Sequence, residues 1–595
     1  MNLLPTPRSL KRRPGSFLLP KRESDALKIA QSNSAPNHPE SYTLIIGASG
    51  IEIKYREAAG LRAAMATLRQ LKREYGRRLP HVSIRDWPDF GRRGVMLDIS
   101  RGRVPKLETL LDLAERLADF KINELQLYTE HTFAYRNYKS VWQDWGALTA
   151  DEIRRLDARC RQLGIDLVPN QNSFGHLRYF LEHPKVQKLA EVSEPYEDAS
   201  GEFVRRPSTL APNHPGTIPF LRGLYDELLP NFSSAFFNVG CDETWDLGRG
   251  QSKILCQAKG RGPVYLDFLS RVQKEVSKRG RRMMFWGDII LKYPKLLSKL
   301  PKDAIALNWG YEANHPFTKE TALFAKSGIP FYVCPGTSTW MTMVGKHDNA
   351  FKNLRLAAAA GRKNRAAGYL ITDWGDGGHP QPLAVSWLPL AMGAAMAWCG
   401  ETFDERSLIP VLSRDVFQES TMRVAKAAMA LGVAHRKLHF NEINLTPLGA
   451  AIAAPPPEAR ELFCRNGLKY FARIQAPHIE ATARELKKQL AVLEKARRDQ
   501  EISTKGKILV RELELAARMA LQSCQFMLWQ QAMARGKNSR AQRMAKATLT
   551  ELAKLDRDFN AFWPRRNKGA TNHCSNFLRW RMADYQRSLR RGNRR

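Results

Sequence analysis

Short apolar runs separated by stretches of helical period fill the middle of the chain. Gly94–Ile99, Glu124–Tyr128, Asp166–Asn170, Ala235–Val239, Arg282–Trp286, Ile305–Trp309, Phe331–Pro335 and Gly368–Thr372 read as buried strands, with an amphipathic stretch between each consecutive pair. Repeated β-α units imply a parallel sheet covered by helices. Eight units between Gly94 and Cys399 fit a (β/α)8 TIM barrel, which takes roughly 250 residues or more. An open doubly wound sheet is the alternative, but it rarely needs eight such units. Ahead of the barrel, Tyr42–Ile46 and Ile51–Tyr55 alternate as strands and Gly60–Tyr75 reads as a helix. After Gly400 the strand signals stop, and Ile479–Arg498 and Ile508–Arg535 stand out as helices beyond a break at Pro455, Pro456 and Pro457. The pattern predicts an α/β chain in three parts: a small N-terminal α/β domain (1–93), the barrel (94–400) and a C-terminal helical domain (401–595).

Composition changes this picture little. A chain of 595 residues with 43% hydrophobic and 9% aromatic residues can bury a large core without staples. The opening segment carries Pro5, Pro7 and Pro14 and lacks the apolar stretch of a secretory signal. Nowhere do ~18 apolar residues run together, as a membrane-spanning helix requires. Cys160, Cys241, Cys256, Cys334, Cys399, Cys464, Cys524 and Cys574 are scattered, with no C-x-x-C pair or histidine at zinc-finger spacing. A reducing compartment, cytoplasmic by default, and no structural metal are expected.

Charge adds one question. A formal net charge of +35 would draw polyanions in a salt-dependent way. The basic residues are spread along the whole chain, however, as a solvated surface spreads them. The densest run (Arg587, Arg590, Arg591, Arg594, Arg595) reads as a terminal tail, so no specific nucleic-acid partner is expected.

The chemistry of a TIM barrel gathers at the C-terminal ends of its strands. There this sequence places, in order, SRGR, TEHTFAY, NQNSFGH, GCDETW, FWGD, NWGYE, PGTSTW and DWGDGGH. Trp245, Trp286, Trp309, Trp340 and Trp374 thus fall at or just beyond strands four to eight. Any one of them would be unremarked in a core, but five on one rim suit the stacking of a sugar ring's C–H face. Glu130, Asp242, Glu243, Asp288 and Asp376 are interleaved with them and suit sugar hydroxyls. Adjacent acids are common on any surface. At a strand end, however, Asp242 and Glu243 diverge toward different faces of one ligand while staying close enough to perturb each other's ionisation.

In order and spacing these segments resemble glycoside hydrolase family 20, the β-N-acetylhexosaminidases, over residues 40–400. RDWPDFGRRGVMLDISR (85–101), VPNQNSFGH (168–176), NVGCDET (238–244) and DWGD (373–376) carry the resemblance. LQLYTEHTFAY (125–135) and Gly248-Arg249-Gly250 look closer to a bacterial exo-acting N-acetylglucosaminidase subgroup. The resemblance implies retaining hydrolysis of terminal β-linked N-acetylglucosamine or N-acetylgalactosamine without a cofactor. Glu243 would act as general acid/base, and Asp242 would orient the substrate's 2-acetamido group, whose oxygen attacks the anomeric carbon to give an oxazolinium ion. Arg93 and Asp376 would bind the remote hydroxyls, and Trp286, Trp309 and Trp374 would wall the acetamido methyl and the sugar face, with Trp340 a further substrate-binding candidate from its place on the rim. His176 would support the acid/base, with Glu130 or His131 as its own partner, and Tyr311 would take the place of a tyrosine missing after strand seven. Arg93 could equally form a structural ion pair, and His176 could be a capped core histidine. Asn170 and Asn172 replace two acids of the family pattern, which puts substrate preference in doubt more than reaction type. A catalytically silent glycan-binding or polyanion-binding protein is the competing class.

Overall fold

The computed structural model describes residues 1–197, 203–204, 207–454 and 471–592. The prolines at 455–457, Cys464, Arg594 and Arg595 lie outside the described residues.

The eight strand candidates form one parallel sheet. The strands run Arg92–Asp98, Glu124–Tyr128, Asp166–Val168, Phe236–Asn238, Arg282–Trp286, Ile305–Trp309, Phe331–Cys334 and Gly368–Asp373, and are called here strands one to eight. A bridge between Asn170 and Asn238 joins strands three and four and closes the barrel. Nearly every strand residue is buried, because helices cover the outside and side chains fill the inside. The last barrel helix, Trp387–Cys399, is buried on all sides, and the sequence WLPLAMGAAMAWC carries no charge. Such a helix needs neighbours all round. It finds the barrel on one side and the N-terminal core, through Trp398 and Cys399, on the other. No helix among the described residues is long and apolar enough to cross a membrane.

The N-terminal unit is a five-stranded sheet packed on the helix Ala58–Tyr75. Of two further strands, Ser9–Leu18 gives no clear alternation in sequence, whereas Arg78–Asp86 alternates through Val82, Ser83, Ile84 and Arg85. The first tolerates Pro14 because it is an edge strand whose register shifts between Arg12 and Ser16, around the proline. The C-terminal region is helical, with long helices Ala476–Arg498, Thr504–Ala534, Asn538–Phe562 and Asn572–Gly592. It also returns to the barrel's upper rim. Asn567–Lys568 pairs with Val104–Pro105 just after strand one, and the His573 ring stacks on Trp145 at 3.7 Å in the loop after strand two.

Candidate active site

The site forms where the loops after the strands meet. Asp242 and Glu243 follow strand four and His176 follows strand three. The His176 Nε2 lies 3.3 Å from Asp242 Oδ2 and 3.4 Å from Glu243 Oε2, so one imidazole joins both carboxylates. Its Nδ1 faces Glu130 Oε1 at 3.8 Å. Burial alone would make this imidazole neutral, but Asp242 and Glu243 together hold it well above the ordinary histidine value. In return the imidazolium, with help from Arg101 and Lys292, outweighs burial and keeps the Glu243 carboxyl below the usual carboxylate range. The three ligand atoms lie within 4.8 Å of one another, a spacing that could hold a cation. The protonated imidazole itself brings a positive charge to that cluster.

The backbone here is under tension. Cys241, Glu243 and His176 have φ of 67°, 45° and 57°, a region that side chains seldom adopt. Gly175 is required beside them, since a Cβ there would sit 2.5 Å from the Asp242 carbonyl oxygen. The Glu243 N–H donates to Asp288 Oδ2 at 3.4 Å, from the loop after strand five. Burial, then the charges of Asp242 and Glu243, push the Asp288 carboxyl up to about 8.

Asp242 points inward and is 8% exposed, whereas Glu243 at the mouth is 33% exposed. Behind them stands an aromatic box. Trp374 lies 4.7 Å from Tyr128 and 5.8 Å from Trp286, and its indole N–H donates to the Tyr311 hydroxyl at 2.7 Å. Tyr311 stacks on Trp309 at 5.2 Å and meets the edge of Trp340 at 5.1 Å. The buried Asp242 Oδ1 and the indole nitrogens of Trp286, Trp309 and Trp340 have no hydrogen-bond partner within the protein. Of these, the Asp242 carboxylate oxygen is the one whose charge gives it a strong need for a donor, and a polar ligand in the box could supply one.

Two expectations are corrected. Arg93 lies at the opposite end of strand one, 2% exposed, where its guanidinium binds Glu40 at 2.5 and 2.7 Å and the carbonyls of Phe90 and Lys121. It clamps the N-terminal domain to the barrel floor and touches no part of the site. Arg101 stands at the active end instead. It pairs with Asp98 at 2.8 Å, Glu130 at 3.1 Å and Asp376 at 3.6 Å and lies over the Tyr128 and Trp374 rings. The sequence signal was present, because Arg101 follows the strand and Arg93 precedes most of it. His131 is likewise no partner of His176. Its ring is buried between Trp145 and Tyr179, and burial lowers its value to about 3, which leaves Glu130 in the partner's place. Trp245 also stands apart from the aromatic box, 46% exposed on the rim.

Residues 90–374 match the model of the glycosyl hydrolase family 20 catalytic domain, and residues 20–87 match that family's domain 2. The chain belongs to glycosyl hydrolase family 20. It is 27% identical over 336 residues to a beta-hexosaminidase of Vibrio furnissii, covering 51% of this chain and 52% of that protein. It is 25% identical over 299 residues to a lacto-N-biosidase of Bifidobacterium bifidum, covering 48% of this chain and 25% of that protein. The chain thus spans about half or less of the length of these relatives. Among solved structures, a Flavobacterium johnsoniae chitobiase superposes with a TM-score of 0.58 at 18% identity, covering 92% of this chain and 96% of that one. A family 20 exo-β-N-acetylglucosaminidase of Vibrio harveyi in complex with N-acetylglucosamine gives 0.57 at 17%, covering 71% and 78%. These likenesses show the fold.

Proposed function

We propose that this chain is a retaining exo-acting β-N-acetylhexosaminidase that uses the substrate's own acetamido group as nucleophile. The observation that carries the reading is the imidazole bridge, which fixes a buried Asp242 and a half-exposed Glu243 side by side on one strand end. In the commoner retaining arrangement a protein carboxylate attacks, with the two carboxyls ~5–5.5 Å apart across the scissile bond. Here the other carboxylate near the pocket mouth, Asp376, faces Arg101. Asp242 is placed to hold the amide N–H and to offset the positive charge that develops as the amide oxygen attacks the anomeric carbon. A tethered nucleophile of this kind gains several kcal/mol from orientation alone, roughly 7 or more in the best cases.

Glu243 gives its proton to the departing oxygen, then draws one from the water that opens the oxazolinium ring. Its lowered value suits the second step, and the first requires that it be reloaded with a proton, which sets the alkaline limit of activity. Arg101 and Asp376 bind remote hydroxyls, and Trp286, Trp309, Tyr311 and Trp374 enclose the acetamido methyl and ring. The described cysteines are all free and buried, in keeping with a reducing compartment.

The test is release of nitrophenol from nitrophenyl β-N-acetylglucosaminide, its galacto isomer and the plain β-glucoside. Cleavage of the acetamido substrates only, lost in Glu243→Gln, is expected. Equal cleavage of the plain glucoside would remove the substrate-assisted step.

A further inference from the structure

The 3.8 Å between His176 Nδ1 and Glu130 Oε1 is too long for a hydrogen bond, so the two side chains are kept facing by the loops that carry them rather than by their own attraction. Those loops follow strands three and two. At the base they are joined by the Asn172 N–H, which donates to the Thr129 carbonyl at 3.0 Å, and by the Gln171 side-chain amide, which donates to the Glu130 carbonyl at 2.9 Å. Farther along, the join is made of rings. Tyr179, just past His176, lies 4.2 Å from the ring of His131, next to Glu130, and 4.7 Å from Trp145. His131 is fully buried and neither of its ring nitrogens has a hydrogen-bond partner within the protein, so packing fixes that ring. Trp145 belongs to the Glu130 loop, which is folded back on itself where the Leu148 N–H donates to the Thr132 carbonyl and the Ala134 N–H to the Leu148 carbonyl.

Trp145 is backed from a distant part of the chain. His573 stacks on it at 3.7 Å with the two planes 14° apart. This histidine stands at the start of the last helix, well beyond residues 90–374 that match the family's catalytic domain. The backbone brings it there by close approach. The Ala570 N–H donates to the Asp144 carbonyl at 3.0 Å, and Gly146 and Gly569 meet with φ of 76° and 77°. A Cβ on Gly569 would fall 2.0 Å from the Trp145 carbonyl oxygen, and one on Gly146 would fall 2.6 Å from the Gly569 nitrogen, so both positions need glycine. Burial holds His573 below the ordinary histidine value, which favours a neutral ring against the indole.

We infer that His573 is a positioning residue for the reaction: its ring backs Trp145, which with His131 and Tyr179 holds the Glu130 and His176 loops at the spacing that keeps His176 between Asp242 and Glu243. This rests on the hydrolase reading above. The helical region thereby acts on the chemistry through Glu130 without touching substrate.

The experiment measures kcat and KM on nitrophenyl β-N-acetylglucosaminide for His573→Ala and His573→Phe, each in the wild-type and the Glu130→Gln background. His573→Ala should lower kcat about tenfold with KM within about twofold, and His573→Phe, which keeps a flat ring, should retain most of the activity. In the Glu130→Gln background the alanine change should cost about twofold or less, because residues that act through one another are not additive. Equal losses in the two backgrounds, or a loss carried by KM, would overturn the inference. Amide hydrogen exchange gives a readout that needs no turnover. In His573→Ala the amides of residues 129–134 should exchange about tenfold faster, while those of strand five keep their wild-type rates. Unchanged exchange at 129–134, or faster exchange throughout the barrel, would also overturn it. A wild-type chain that cleaves no substrate would sink the hydrolase reading and leave the ring stack to be decided by exchange.

Discussion

The His176 Nε2 stands 3.3 Å from Asp242 Oδ2 and presents its charge to Glu243 from the same nitrogen. Removing that charge in His176→Gln frees the Glu243 carboxyl to rise toward its ordinary value. The alkaline limb of the pH–rate profile should therefore move to higher pH, while kcat falls about 10²-fold because Asp242 loses its anchor. A limb that stays in place would mean that Glu243 does not feel the imidazole. The raised His176 value has a matching effect on stability. Its contribution is complete below about 6.5 and is lost as pH rises through the elevated folded value.

Asp288 runs to a different window. Its carboxyl binds a proton more tightly folded than unfolded, so its contribution is complete below about 4 and is lost as pH climbs toward about 8. Asp288→Asn keeps a neutral side chain throughout. Its melting temperature should match the wild type near pH 4 and exceed it by an amount that grows up to pH 8. Thermal unfolding across that range reads the difference directly.

The two arginines near strand one separate stability from function. Arg93→Met strands Glu40 at a domain junction and should cost about 3 kcal/mol or more, with kcat/KM of the folded enzyme unchanged. Arg101→Met strands Asp98 and Glu130 and so should also lose stability, but unlike Arg93→Met it should lose about 10²-fold in kcat/KM of the folded enzyme, mostly through KM. Urea unfolding and steady-state kinetics on both variants decide whether the assignment is the right way round.

Gly102 ties the rim to the C-terminal helices. With φ of 111°, a Cβ there would lie 2.7 Å from the Gly378 carbonyl oxygen and 3.3 Å from Cys574 Cβ. Gly102→Ala should cost about 1–3 kcal/mol and raise KM severalfold, because the displaced loops carry Arg101 and Asp376. A normal KM in a destabilised variant would show that the rim tolerates the shift.

Strands two, five and six were legible to the residue, as Glu124–Tyr128, Arg282–Trp286 and Ile305–Trp309, because short segments dense in apolar residues stand out between the amphipathic helices. Asp242, Glu243, Trp286, Trp309, Trp340 and Trp374 were legible because strand ends place residues without any long-range information, whereas His176 and Tyr311 came only from the family resemblance and Tyr128 was not singled out. The edge strand Ser9–Leu18 was hidden by its proline and basic residues, since an edge needs only one paired side. Arg93 was misplaced by matching a motif when the direction of the strand already put it at the floor. The pairing of Asn567 with Pro105 had no local signature at all, because two residues on each side fix it and the chain between them must fold first.

That last pairing bears on synthesis. Val104 and Pro105 leave the ribosome with strand one, but their partners Asn567 and Lys568 follow only after the whole barrel and most of the helices have been translated. Lys568 then reaches Glu152 and the Ala147 carbonyl, so the upper rim is sealed late. The eight-stranded sheet thus needs nothing beyond Asp373 to pair its strands, whereas this part of its rim waits for Asn567 and Lys568.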